Sequence, residues 1–159
     1  MTTVEMYPYA RSNSPAEAGW LTPASRWQDV YCTSLDCLSD HIERCGMSQM
    51  VRDVAQVLCV HFDMALWRHR SAQEIRLFPL LRSEEVSELH LIDTVIPHLT
   101  GERLALEKVW ETLRISLNKL ASGQPVMLPS DAVTDFCASY QNHRAKEIEC
   151  RHAVGMMDL

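Results

Sequence analysis

Apolar residues recur at steps of three and four along most of this chain, the spacing that lines one face of an α-helix. Tyr31, Leu35, Leu38, Ile42 and Cys45 form the first stripe. The helix that carries it is expected to start beside Thr22, a capping residue, with Pro23 at the first helical position, and to stop at Gly46. The second stripe is Val51, Ala55, Leu58, Phe62, Ala65 and His69. Its helix starts at Ser48 and is expected to end by Phe78, because Pro79 disfavours helical backbone in the residue before it. A third helix is expected to start at Ser83, a cap followed by Glu84 and Glu85 at the positive end of the helix dipole. It has the most regular seam: Ile92, Ile96, Leu99, Arg103, Leu106, Trp110, Leu113, Leu117 and Leu120, with a kink expected at Pro97. After the loop "ASGQPVMLP", a fourth helix follows Ser130, with Val133, Phe136, Cys137, Tyr140, His143, Glu147 and Cys150 on one stripe. No segment alternates as a strand does, and no internal repeat occurs. Four long helices with short connections predict an all-α fold, an up-down-up-down four-helix bundle over residues 23–159. Residues 1–22, rich in Pro, Ser, Tyr and Gly, read as an irregular N-terminal arm packed on the body through Trp20.

Composition agrees with one folded domain, since 159 residues, 47% of them hydrophobic, suffice for a full core. The net charge of −6 argues against a nucleic-acid surface, which needs clustered Lys and Arg. The local arginines Arg68, Arg70, Arg76 and Arg82 are interleaved with Glu74, Glu84 and Glu85. The first residues, "MTTVEMYPYARSNSPAEAG", lack the basic and apolar regions of a signal peptide. No apolar run approaches the roughly 20 residues that span a bilayer, so a cytoplasmic protein without a membrane partner is expected. The cysteines Cys32, Cys37, Cys45, Cys59, Cys137 and Cys150 form no Cys-x-x-Cys pair and read as buried small hydrophobes.

The informative positions are polar residues on apolar seams, because a buried charge must be paired or must ligate a metal. His143 and Glu147 are four apart, so they differ by only about 40° around the helix and both face the core. Such a pair can hold a metal or can be a simple buried hydrogen bond. Arg103 lies on the third seam itself and cannot be a ligand, because guanidinium has no lone pair to donate. His98 and Glu102 make another pair four apart, beside Pro97 and Gly101, and read either as auxiliary ligands or as a solvated pair. His69 and Glu74 are five apart, about 140° around the helix, a poor angle for sharing one ion. His69 is better placed for Gln73, and Arg70 for an ordinary ion pair with Glu74.

Four segments in this order resemble the hemerythrin-like, or HHE cation-binding, family over roughly residues 27–155. "CGMSQMVRDVAQVLCVHFDMALWRH" is similar to its second helix, and "HRSAQEIRLFPLL" to its His-His-x-x-Glu-Glu-x-x-Leu-Phe-Pro segment. "ERLALEKVWETL" is similar to its third helix, and "FCASYQNHRAKEIE" to its fourth, with His-x-x-x-Glu. The resemblance implies a site for two non-haem irons between the helices, and roles in oxygen, iron or nitric-oxide response. Matched residue by residue, His69, Glu74, His143 and Glu147 stand at metal-ligand positions. Non-ligands stand at others: Arg70 at the second of the adjacent histidines, Arg103 at the third-helix histidine and Thr33 near the first-helix histidine, with His41 a poorer match.

Two arginines at ligand positions can replace a metal's charge. Arg70 and Arg103 are expected to neutralise Glu74 and Glu147 where ions would sit. The first functional expectation is therefore a divergent member with a degenerate di-iron site, metal-free, serving as a binding, sensory or structural module. The alternative is a working iron or zinc protein using His69, Glu74, His143 and Glu147, with His98 or Glu102 in support. No nucleophile with its base and oxyanion donors is evident, so no catalytic residue is assigned. Trp20, Trp27, Trp67 and Trp110 exceed what one core needs, which suggests a homo-oligomer or a protein partner.

Overall fold

The computed structural model describes residues 23–83 and 89–153, with side chains described over 28–83 and 93–152. Helix α1 spans Pro23–Cys45. Helix α2 spans Gln49–Ala72 and continues through a π-helical turn, Gln73–Leu77, into a last turn, Phe78–Leu81. Helix α3 spans Leu89–Ala121 and α4 spans Ser130–Ala153. Among the described residues there is no strand. Helix α1 packs on α2 and α4, and α3 packs on the same two. Neighbours in the chain are thus neighbours in space, and the ring closes between first and last, so the chain is an all-α bundle.

The expected stops and starts have visible causes. Gly46 takes φ 70° and returns its N–H to the Ile42 carbonyl at 3.0 Å, closing α1. Ser48 accepts from the Val51 N–H at 3.2 Å, capping α2. The expected end of α2 at Phe78 is corrected. The chain stays helical through Pro79, because the preceding turn widens and the Phe78 N–H reaches back to the Gln73 carbonyl. Proline in a helix removes one hydrogen bond and crowds the carbonyl four residues earlier, and a π turn gives that carbonyl room. Helix α3 runs on through Pro97. Ser83 donates to the Leu80 carbonyl at 2.7 Å and so finishes α2. Its expected helix-start partners Glu84 and Glu85 lie outside the described residues, as do residues 1–22, with Trp20 and Thr22, and the side chains of Trp27 and Ile92.

The seams are buried as their spacing requires, but the core is not continuous. A large apolar cluster is bounded on α2 by Leu66, on α3 by Leu106 and on α4 by Tyr140. A smaller one contains Leu77, Phe78, Leu81, Ile96 and Leu99, with Cys150 packed against it. Between the two, on three helices at once, lie buried polar residues: His69 and Gln73, then Arg103, then His143 and Glu147. Apolar layers above and below shield this polar layer from water and raise the cost of any charge left unpaired there.

Three cysteines, Cys32, Cys59 and Cys137, are buried as expected, whereas Cys45 is exposed at the end of α1. Burial pushes the Cys59 thiol up to about 11, so it stays protonated at neutral pH. Trp110 is buried and donates its indole N–H to Asp63 at 2.8 Å, while Trp67 is 62% exposed.

Candidate metal centre

His69, His143 and Glu147 are all buried and present ligand atoms within 4.8 Å of one another. Helix α2 supplies the first, and one turn of α4 supplies the other two. His69 Nε2 lies 2.7 Å from Glu147 Oε2. That contact is close but not aligned as a hydrogen bond, which leaves Nε2 without an in-line partner. Glu147 Oε1 is held by Arg151, one turn further along α4. Burial opposes the charge on Glu147, but the adjacent His69 imidazole, Arg151 and the Gln73 amide outweigh it and hold its carboxyl down to about 2. At neutral pH it is a carboxylate, the form that ligates.

His143 is fixed from behind. Its Nδ1 lies 3.0 Å from Glu102 Oε2. The other Glu102 oxygen is held by Lys146 and lies 3.1 Å from His98 Nε2. Burial of Glu102 is outweighed by the Lys146 and His143 contacts, and its carboxyl is held below the usual range. A carboxylate only accepts, so Nδ1 carries the proton and Nε2 presents its lone pair to the interior. Burial also lowers the His143 pKa, against the pull of Glu102, and favours this neutral tautomer. A carboxylate behind a histidine is the usual support of a metal ligand. His98 and Glu102 therefore act outside the cluster, with the His98 side chain 60% exposed.

Gln73 is the functional residue not singled out as a site from the sequence. It is fully buried, and its Nε2 stands 2.9 Å from both His143 Nε2 and Glu147 Oε2. The signal was present: Gln73 follows His69 by four and occupies the first glutamate of the His-His-x-x-Glu-Glu segment. Glu74 takes the next position, about 100° further around the helix, and does not join the cluster. Its half-exposed carboxylate accepts from Arg103 Nη1 at 2.9 Å and meets Arg70 Nε at 3.5 Å. The hydrogen bond from Arg103 and the charge of both arginines hold Glu74 below the ordinary carboxylate range.

The expectation for the arginines is corrected in part. Arg103 is buried and does neutralise Glu74, and Arg70 joins it from the half-exposed rim. Neither reaches Glu147, whose charge is met by Arg151 instead, with His69 Nε2 2.7 Å from its other oxygen. Thr33 is exposed, donating to the Asp29 carbonyl at 2.9 Å. Cys137 reaches the Cys32 carbonyl at 3.8 Å, and Gln141 reaches Asp29 at 3.2 Å, so α1 and α4 run antiparallel. This register puts Thr33 beside the apolar core and residues 23–27 level with His143 and Glu147. The side chains of 23–27 lie outside the described residues. His41, further along α1, is further still from the cluster.

The donor set suits a metal. Two imidazoles and a carboxylate are ligands of zinc and non-haem iron. The orphaned His69 Nε2, Gln73 Oε1 and Tyr140 hydroxyl in and beside this layer are polar atoms that burial should have satisfied. No helix among the described residues is long and apolar enough to cross a membrane. No family model matches the chain, and no solved structure matches it. Over 148 residues it is 28% identical to an uncharacterized protein of Haemophilus influenzae, covering 92% of this chain and 82% of that one.

Proposed function

We propose that this chain is a divergent hemerythrin-like bundle whose metal interior is reduced to one three-donor site, His69, His143 and Glu147. It takes a single divalent iron or zinc ion and serves as a binding or sensory module. The observation that carries this reading is the buried cluster itself, with Glu102 behind His143 and a carboxylate kept ionised at neutral pH. Arg103 has no lone pair to donate and engages Glu74 on the other side of the layer, which supports one ion rather than two. A bound iron(II) would supply open coordination positions at which a diatomic ligand of the oxygen or nitric-oxide kind is sensed. The chain's own part is to orient His143 through Glu102, to exclude water with the apolar layers and to keep Glu147 charged.

The test is elemental analysis of protein expressed with iron and zinc available. About one ion per chain is expected, falling at least tenfold in His143→Ala. Full metal content in that variant would remove His143 as a ligand. The metal-free alternative is favoured by Gln73, whose amide already satisfies His143 and Glu147. Protein without metal after expression and direct addition of both ions would establish it.

Self-association of the module is supported by the outer face of α2. There Val57, Val60, Met64 and Trp67 recur at steps of three and four and are all exposed, opposite the buried stripe. Sedimentation should show concentration-dependent dimer that Trp67→Glu weakens; a monomer at every concentration would discard the idea.

A further inference from the structure

The side chain at the centre of the polar layer is an amide, and its orientation follows from its neighbours. Glu102 fixes the proton of His143 on Nδ1, so His143 Nε2 can only accept. Glu147 accepts as well, since its carboxylate is held by Arg151 on the other oxygen. Both point at Gln73 from 2.9 Å, so the atom they meet must be the NH₂ group. The amide carbonyl is then turned away, and Gln73 Oε1 is left buried with no partner. An unpaired buried carbonyl is costly, and it is kept here because the two acceptors inside need the donor more.

A cation reverses that balance. It would take the same lone pairs of His143 and Glu147 that the NH₂ group now holds. The NH₂ would then face a positive charge, while the carbonyl beside it is a good oxygen donor without a partner. A half-turn of the terminal amide exchanges the two and needs no backbone movement. We propose that Gln73 is both the plug and the fourth ligand of the centre: its amide holds the pocket closed through Nε2, and rotates on metal entry to ligate through Oε1. This inference rests on the three-donor reading above. Gln73 follows His69 by one α-helical turn, its N–H still reaching the His69 carbonyl, so both share the inner face and the helix widens only beyond Gln73. The choice of glutamine also sets the charge. With neutral histidines the ligand set carries only the single negative charge of Glu147, so a divalent ion keeps a net positive charge and attracts a water or an anion to any open position.

Cobalt(II) titration followed by visible absorption separates the outcomes, using wild type, Gln73→Leu, Gln73→Glu and His143→Ala, each checked for helix content. Wild type is expected to saturate at one ion per chain. Gln73→Leu, of similar volume, should bind at least tenfold more weakly, with shifted absorption bands because an oxygen donor is gone. Gln73→Glu should bind at least tenfold more tightly. If Gln73→Leu binds as tightly as wild type or tighter, the amide only plugs the pocket and ligation by Gln73 is overturned. If wild type takes up no cobalt, or His143→Ala takes it up equally well, the three-donor reading itself fails. A readout independent of variant folding is the Gln73 side-chain NH₂ resonance of wild type. Zinc should move it strongly as its two acceptors are withdrawn, and an unmoved resonance at full zinc occupancy rejects the rotation.

Discussion

Glu147→Ala is expected to lower the unfolding free energy of the metal-free protein by about 3–5 kcal/mol, the usual loss when one partner of a buried ion pair is removed. Gln73 Nε2 at 2.9 Å and the Arg151 guanidinium lose their acceptor together, and His69 Nε2 loses its carboxylate neighbour at 2.7 Å. Apolar clusters lie on both sides, so water cannot readily replace the carboxylate. Arg151 is the partner nearest to solvent and can turn outward, which places the expected loss below the sum of three separate contacts. Urea unfolding measures it, and a loss under about 1 kcal/mol would mean that the layer is open to water. The same residue should shape the acid limb of the stability curve. Its carboxyl is held down to about 2 from an ordinary 4.5, so its contribution is complete above pH 4.5 and fades as pH falls towards 2. Burial of His143 lowers its pKa below 6.5, so there too the unfolded chain takes the proton first and stability declines on acidification. In Glu147→Ala the decline between pH 4.5 and 2 should be shallower than in wild type; an unchanged slope would remove Glu147 as its source.

Phe62→Ala should cost a comparable amount, about 3–5 kcal/mol, for a different reason. Phe62 is fully buried and sits among rings, with centroids 5.0 Å from Trp110, 5.4 Å from Phe136 and 5.9 Å from Tyr140. Removing the ring leaves a cavity walled by three rigid aromatics on two other helices, which cannot close it without leaving their own contacts. The effect should reach the polar layer. Tyr140 packs on Phe136, and its ring lies 6.4 Å from that of His69. Metal affinity should fall in Phe62→Ala although the residue touches no ligand. Phe62→Leu, which refills most of the volume, should recover most of the stability. If leucine and alanine at this position behave alike, ring packing is not what supports the layer.

Much of the fold was legible in the residues because helical burial repeats over short distances. Seams at steps of three and four announced which face of each helix is covered, and Gly46 and Ser48 announced a boundary between two of them. The angular argument also separated Glu74 from His69 correctly, and paired Arg70 with Glu74. What failed was local at Pro79, where a wider turn let the helix continue, and remote at Glu147, whose cation proved to be Arg151 from its own helix. The resemblance places Glu74 at a ligand position; in the structure Gln73 lies against His143 and Glu147, while Glu74 pairs with Arg103.

By itself the sequence determined an all-α bundle, the inward facing of His69, His143 and Glu147 and the presence of a buried arginine, since periodicity alone decides which side of a helix meets the others. Only the tertiary structure decided that these residues share one layer, that Arg103 answers Glu74 and that an amide stands among the donors. Which residues meet across helices depends on their height along the bundle axis, and that height is set by loop lengths, a single π turn and the packing of two apolar clusters, none of which repeats along the chain.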